Sequence, residues 1–199
     1  MIAIVDYHTG NICSVMNALT RIGATNCVLT ADAALIRQAS HVLLPGVGEA
    51  GSAMNELRQR GLDTLIPTLT QPVLGICIGT QLMCLSSEEG ETTCMGIFPT
   101  RIVRFKPDKA QQAAFKVPHM GWNTITRLRS PLLSGIGEGA YVYYVHSYYP
   151  ELCDSAIACT GYGVTFSAAL QRDNFFGTQF HPEKSGAVGE QILRNFLTL

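Results

Sequence analysis

The amino-terminal half of this 199-residue chain alternates short strand-like runs with helix-like stretches, and that alternation confines the fold to a narrow class. The runs are IAIVD at 2–6, NCVLT at 26–30, HVLLP at 41–45 and PVLGI at 72–76. Between them lie a helix-like stretch from Asn11 to about Ile22, another after Asp32, and a third that holds Met54 and Leu57. Runs that are apolar on both faces belong to strands covered on both sides, and strands alternating with helices belong to a parallel sheet. From about Gly96 the texture changes. IVRF, NTITR, YVYYV, AIACT, FSAAL and FFGTQF are short strand candidates separated by Gly, Pro and Asp, ahead of a last helix-like run from Ser185. The expectation is one α/β domain over residues 1–199. Its central, mostly parallel mixed sheet is flanked by helices, with antiparallel strands added to it or bent away from it.

Composition removes several functions. Fourteen Lys and Arg against fifteen Asp and Glu leave a formal charge of −1, which argues against a nucleic-acid binder working through a broad basic surface. Charged residues are 15% of the chain, below the roughly 25% usual in soluble domains. Part of the surface is therefore uncharged, as a face covered by another subunit would be. The opening MIAIVDYHTG lacks the basic and apolar regions of a signal peptide. No apolar run approaches the roughly 18 residues of a membrane helix, and lipidation motifs are absent. A cytoplasmic protein without membrane contact is expected. The seven cysteines (Cys13, Cys27, Cys77, Cys84, Cys94, Cys153 and Cys159) are odd in number, irregular in spacing and free of any CxxC pair. Neither a disulfide framework nor a zinc site fits that pattern. Six read as small apolar packing residues; Cys77 has a different setting.

Gly75-Ile76-Cys77-Ile78-Gly79 lies between an apolar strand and a helix, as the cysteine version of a nucleophile elbow. Such a turn holds the nucleophile in strained geometry, and the flanking glycines keep Cβ atoms out of the crowd. A thiol at a helix amino terminus is also biased toward thiolate. A buried cysteine in a Gly-rich turn is the alternative. Gln179-Phe180-His181-Pro182-Glu183 follows the strand FFGTQF. In extended chain, residues i and i+2 share a side, and Pro182 biases His181 toward that geometry. Glu183 can then hold one imidazole nitrogen and leave the other for a nucleophile. A His-Pro turn with a solvated Glu is the competing reading. Pro45-Gly46-Val47-Gly48 is a third loop after a strand, open enough for backbone N–H groups to reach an oxyanion, with Ile78 N–H as a second donor. Many αβ loops carry two glycines without such a role. His41, His119 and His146 read as structural.

Taken together, GICIGTQ, QFHPE and PGVG resemble the class I, triad-type glutamine amidotransferases over nearly the whole chain. PHMGWN at 118–123, YYVHSY at 143–148 and Lys184 after the triad Glu resemble the glutaminase branch that serves imidazole glycerol-phosphate synthases in histidine biosynthesis. The opening of that branch usually has a glycine where His8 stands here, which puts only the local loop in question.

The resemblance implies a Cys77–His181–Glu183 triad that hydrolyses glutamine to glutamate and ammonia. It implies an oxyanion hole from Val47, Gly48 and Ile78, and glutamine contacts from Gly46, Gly48, Gln81, Glu89, Ser147 and Tyr148. It implies no metal and no organic cofactor. It also implies a heterodimer with a cyclase subunit that consumes the ammonia in making imidazole glycerol phosphate and AICAR, docked over Asn11, Pro118, Met120, Trp122 and Lys184. Two other readings stand beside it: a stand-alone glutaminase or γ-glutamyl hydrolase, and a non-catalytic flavodoxin-like binding module.

Overall fold

A computed structural model describes residues 1–8, 11–107 and 115–199. The strand–helix alternation appears as β1 (Ile2–Val5), α1 (Ile12–Arg21), β2 (Cys27–Thr30), α2 (Ala33–Gln38), β3 (His41–Gly46), α3 (Ala50–Gln59), α4 (Leu62–Leu65), β4 (Val73–Cys77) and α5 (Ile78–Leu82). Then come two-residue strands β5 (Ser86–Ser87) and β6 (Thr92–Thr93), followed by β7 (Arg101–Arg104) and β8 (His119–Ile125). The remainder is β9 (Ala140–His146), β10 (Tyr148–Pro150), β11 (Ala156–Tyr162), β12 (Val164–Arg172), β13 (Phe175–Thr178) and α6 (Gly186–Phe196).

Seven strands form the main sheet in the order β11-β12-β13-β4-β3-β1-β2. From β13 to β2 all neighbours are parallel, whereas β12 pairs antiparallel with both β13 and β11. The period-2 alternation of strand side chains sorts the core into two layers. Ile2, Ile4, Leu43, Leu74 and Ile76 face one layer, where they meet Val15, Ala18 and Leu19 of α1 and Ile192, Leu193 and Phe196 of α6. Ala3, Val5, Val42, Leu44 and Val73 face the other, against Ile36 of α2, Ala53, Met54 and Leu57 of α3, and Leu82 of α5. The caps of α2 and α3 are acidic: Asp32 accepts from the N–H groups of Ala34 and Leu35, and Glu49 from those of Gly51 and Ser52. Each satisfies two of the four donors a helix start leaves unpaired.

The later strands do not all join this sheet. β7, β5, β6 and β10 make a separate four-stranded sheet, and β8 and β9 make a two-stranded ribbon. Within β7 only Ile102 is fully buried while Arg101 and Arg104 are exposed, so this strand has one apolar side to offer rather than two. The ribbon is tied to the main sheet by a bridge between Thr126 and Cys159, and its Ile125, Val142 and Tyr144 enter the α1–α6 layer. Among the cysteines, the expectation of six packing residues needs one correction. Cys13 is exposed, on the outer side of α1, while Cys84 and Cys159 are buried and the other three are half-buried.

His8, where the related branch usually has glycine, has φ +58°. It keeps the left-handed conformation a glycine adopts freely, which histidine tolerates better than most side chains. Its N–H donates to Asp6 Oδ1 at 3.2 Å, and Arg60 donates to its Nε2 at 2.6 Å. Thr9 and Gly10, the rest of that motif, lie outside the described residues.

Candidate active site

Three neighbouring parallel strands, β3, β4 and β13, end at the same edge of the sheet. In register, Gly46 lies beside Cys77 and Thr178 beside Ile76. The loop after β13 therefore delivers His181 next to Cys77, although the two are far apart in the chain. Binding sites of open α/β sheets form at this carboxyl edge.

Cys77 itself has φ +52° and ψ −107° and is almost fully buried. That backbone is unfavourable for a residue with a Cβ and is found where a turn over-determines it. Gly79 makes the turn possible: a Cβ there would overlap the backbone carbonyl of Leu44 on the neighbouring strand. Thr80, wholly buried, fastens the elbow from below, its hydroxyl lying 2.9 Å from the Gly75 carbonyl and 2.8 Å from that of Thr178. The helix that follows, Ile78–Leu82, is short. With five residues in α5, the helix dipole contributes less at Cys77 than a long helix would.

His181 and Glu183 meet as expected, by a different route. The chain is extended at His181 (φ −100°, ψ 96°) but turns at once into a 3₁₀ segment, Pro182–Lys184. This turn, rather than the same-side spacing of a strand, brings Glu183 Oε1 to 2.8 Å from His181 Nδ1. The His181 N–H donates to the Tyr143 carbonyl at 2.9 Å, and Ser185 Oγ bonds the His181 carbonyl at 2.6 Å, so the backbone carrying the ring is held on both sides. His181 Nε2 is buried, has no oxygen or nitrogen partner among the described residues, and is left to the Cys77 sulfur. Burial opposes a charge on this ring, but the Cys77 sulfur and the Glu183 carboxylate outweigh it and push His181 up to about 10. The ring is thus placed to hold a proton between the Cys77 sulfur and the Glu183 carboxylate.

A cavity of about 320 Å³ opens above Cys77, lined by Val47, Gly48, Ile78, Gln81, Glu89, Pro118, Ser147 and Tyr148 together with Val145 and His146. Eight residues named from the sequence as oxyanion, glutamine or interface candidates thus share one wall system, at the small end of ligand pockets. Gly48 takes φ +118°, outside the range of an L side chain, so the loop can turn its backbone toward the cavity. Glu89 is not a solvated loop carboxylate. Its Oε2 accepts from Ala50 N at 2.9 Å, joining the far wall to the end of the 46–49 loop, and burial raises its pKa. Gln81 is buried with its amide nitrogen committed to Tyr148 O (3.1 Å) and Gln179 Oε1 (2.9 Å), which leaves its Oε1 as the atom open to a ligand. Gly46 does not line the cavity; it lies in the ladder beside Cys77.

The interface candidates divide. Met120 and Trp122 are 62% and 55% exposed, on the outward side of β8. Trp122 packs edge-on against Tyr143 at 5.9 Å, and Lys184 lies over the other end of that patch, 6.0 Å from the Tyr143 ring. Pro118 lines both the Cys77 cavity and a second one bounded by Met120 and Tyr162. Asn11 faces inward instead: its Nδ2 donates to Glu183 Oε1 at 3.1 Å, and its Oδ1 accepts from Ser14 Oγ. Gln179, Thr80 and His146 are site residues the motifs did not single out. Gln179 Nε2 lies 3.6 Å from Cys77 Sγ. Gln179 and Thr80 sit inside QFHPE and GICIGTQ, so their position in those motifs was the available signal. Among the described residues no group of His, Cys, Asp or Glu could hold a metal ion, and no helix is long and apolar enough to cross a membrane.

Comparison with known proteins agrees with this geometry. The family model for class I glutamine amidotransferases matches residues 3–199. The chain is 54% identical over 198 residues to the imidazole glycerol phosphate synthase subunit HisH of Bacteroides thetaiotaomicron, covering 100% of this chain and 99% of that protein. It is 45% identical over 212 residues to the HisH subunit of Shewanella oneidensis, covering 100% and 96%. In fold it matches the structure of PurLQS from Thermotoga maritima with a TM-score of 0.70 at 15% identity, covering 99% of this chain and 97% of that one. Family model, full-length relatives and a mixed sheet with a cysteine elbow at its centre agree: the chain belongs to the class I glutamine amidotransferases.

Proposed function

We propose that this chain is the glutamine-hydrolysing subunit of an imidazole glycerol phosphate synthase, supplying ammonia for histidine biosynthesis. The reading rests above all on the buried Cys77–His181–Glu183 arrangement at the floor of a cavity of about 320 Å³, in a chain 54% identical to a HisH subunit.

In this reading Cys77 Sγ attacks the side-chain amide carbon of glutamine. His181 takes the thiol proton at Nε2 and returns it to the departing ammonia, then activates water to release glutamate from the γ-glutamyl thioester. Glu183 fixes the imidazole so that Nδ1 keeps its hydrogen and stabilises the charged ring, while Asn11 steadies the carboxylate. The tetrahedral oxyanion is met by backbone N–H groups of the Val47–Gly48 loop and of Ile78; losing one such donor costs about 2.7–4 kcal/mol in comparable sites. Gln81, Glu89, Ser147 and Tyr148 hold the amino-acid end of the substrate.

Ammonia released into water is mostly protonated and lost, so a docked synthase subunit has a chemical reason. The cyclase covers Met120, Trp122 and Lys184, where an aromatic and apolar patch fits an interface core. Pro118, shared between the Cys77 cavity and the Met120 side, marks where product leaves. A stand-alone hydrolase has no use for that exposed patch. The protein works in the cytoplasm with the cyclase as its heterodimer partner.

The test is a glutaminase assay with and without the cyclase subunit and its nucleotide substrate, combined with trapping by a diazo-ketone analogue of glutamine. Label on Cys77 and a large rise in turnover on adding the partner are expected. No label on Cys77 in either state would remove the enzymatic reading, and full activity of the isolated chain would remove the coupling.

A further inference from the structure

We propose that His146 is a positioning residue for the substrate cavity: its two ring nitrogens tie the buried His119 to the Tyr148 carbonyl and so fix the Ser147–Tyr148 wall. The inference rests on the glutamine reading above and assigns a role to a histidine pair that the triad does not use.

The hydrogen pattern follows from which atoms can donate. His146 Nδ1 lies 2.7 Å from the Tyr148 carbonyl, which only accepts, so Nδ1 carries the hydrogen. In a neutral ring Nε2 is then the acceptor, and it faces His119 Nδ1 at 3.0 Å, which must donate. His119 Nε2 in turn receives Asn123 Nδ2 at 3.3 Å, and the same amide donates to the Gly161 carbonyl at 3.1 Å. One carbonyl therefore sets the tautomer of both rings. A proton added to either would bring two N–H groups face to face. Burial keeps both rings neutral, lowering His119 to about 4 and His146 to about 3.

The surroundings leave the pair little freedom. His119 is stacked between Tyr162 and Tyr144, with ring centroids at 3.8 and 4.7 Å. His146 lies against Phe105 and Phe166 at 5.3 and 5.4 Å. At the cavity end, the Tyr148 carbonyl also receives Gln81 Nε2, which continues through Gln179 to Cys77 Sγ. His146 lines the cavity, yet neither of its nitrogens is free for proton transfer, so its effect passes through the Tyr148 backbone. Buried, fully satisfied networks of this kind hold one geometry firmly and lose it when a member is removed.

The experiment is steady-state glutaminase kinetics of the complex with the cyclase subunit, for wild type, His146→Leu and His146→Asn. Asparagine places an amide N–H where Nδ1 stood and can still donate to Tyr148; leucine cannot. His146→Leu is expected to raise KM for glutamine about tenfold, the loss of roughly one good hydrogen bond, with kcat within about threefold. His146→Asn is expected to return KM to within about threefold of wild type. A role in packing alone lowers the melting temperature and the active fraction, hence kcat, and leaves KM where it was. An unchanged KM in His146→Leu, or an equal defect in both variants, overturns the proposal. Should His146→Leu not fold, His119→Phe carries the test: it keeps the stack between the tyrosines and removes the donor to His146, while the Asn123 amide that also loses its acceptor still reaches the Gly161 carbonyl. A KM raised about threefold supports the relay, and an unchanged one contradicts it. Failure of the wild-type complex to hydrolyse glutamine would instead sink the functional reading itself.

Discussion

His181 Nδ1 lies 2.8 Å from Glu183 Oε1, and both side chains are about 1% exposed. A carboxylate so buried against an imidazole can only accept, which obliges the ring to keep its hydrogen on Nδ1 and turn Nε2 toward Cys77. Glu183→Leu removes that acceptor and its charge, so nothing then holds the hydrogen on Nδ1. The expected result is a fall in kcat of about 10⁴-fold with the fold intact, read by glutaminase kinetics of the complex and by circular dichroism. Retention of more than a tenth of the activity would show that Glu183 does not set the tautomer.

Asn11 donates to the same oxygen at 3.1 Å. Hydrogen bonds to charged groups contribute about 1.5–3 kcal/mol, so Asn11→Ala should lower kcat at least about tenfold. Affinity for the cyclase should stay within about twofold, since the amide is spent inward. A variant that loses partner binding and keeps kcat would put Asn11 at the interface instead.

Stability should depend on pH with opposite signs at the two histidine sites. His181 is raised in the folded state to about 10. Its contribution is present below the unfolded value near 6.5 and is lost as pH rises through about 10. Cys77→Ser removes one of the two groups that raise His181 and should shrink that alkaline loss. His119 and His146 are lowered, to about 4 and about 3. Their contribution is present above about 6.5 and is lost as pH falls toward those values, because the unfolded chain takes up protons first. Denaturant unfolding at pH 5, 7 and 10 reads both. Equal alkaline losses for wild type and Cys77→Ser, or no acid loss at pH 5, would contradict the assignment.

Trp122 is the chain's one tryptophan and is 55% exposed. Its emission should shift to the blue on titration with the cyclase subunit, and Trp122→Ala should weaken the complex by at least about thirtyfold, as for a central anchor. Labelling of Cys77 should persist in the variant. An unshifted emission maximum at saturation would remove Trp122 from the interface, and with it the explanation of the low charged fraction.

The parts of this molecule that were legible in the sequence are those where one residue type is imposed by its surroundings. β1 and β4 are buried at every position, so apolar runs found them. Gly79 has no room for a Cβ beside Leu44, so the elbow was visible as a pair of glycines around Cys77. What stayed hidden depends on partners brought together by the fold. The Asn11–Glu183 bond spans 172 positions, and nothing local distinguishes that asparagine from a surface one. The His119–His146 pair forms only because β8 and β9 pair in the register that sets those two residues opposite. The turn at Pro182 that carries Glu183 to His181, and the five-residue length of α5, are equally settled by tertiary packing.

The central claim is that ammonia freed at Cys77 reaches the synthase without entering water. Glutamine labelled with ¹⁵N in its side-chain amide, supplied to the complex with the cyclase's nucleotide substrate and an excess of unlabelled ammonium, tests this directly by mass spectrometry of the imidazole product. The account predicts product carrying ¹⁵N with wild-type protein and only unlabelled product with Cys77→Ser. Unlabelled product from the wild-type complex, or labelled product from Cys77→Ser, would contradict it.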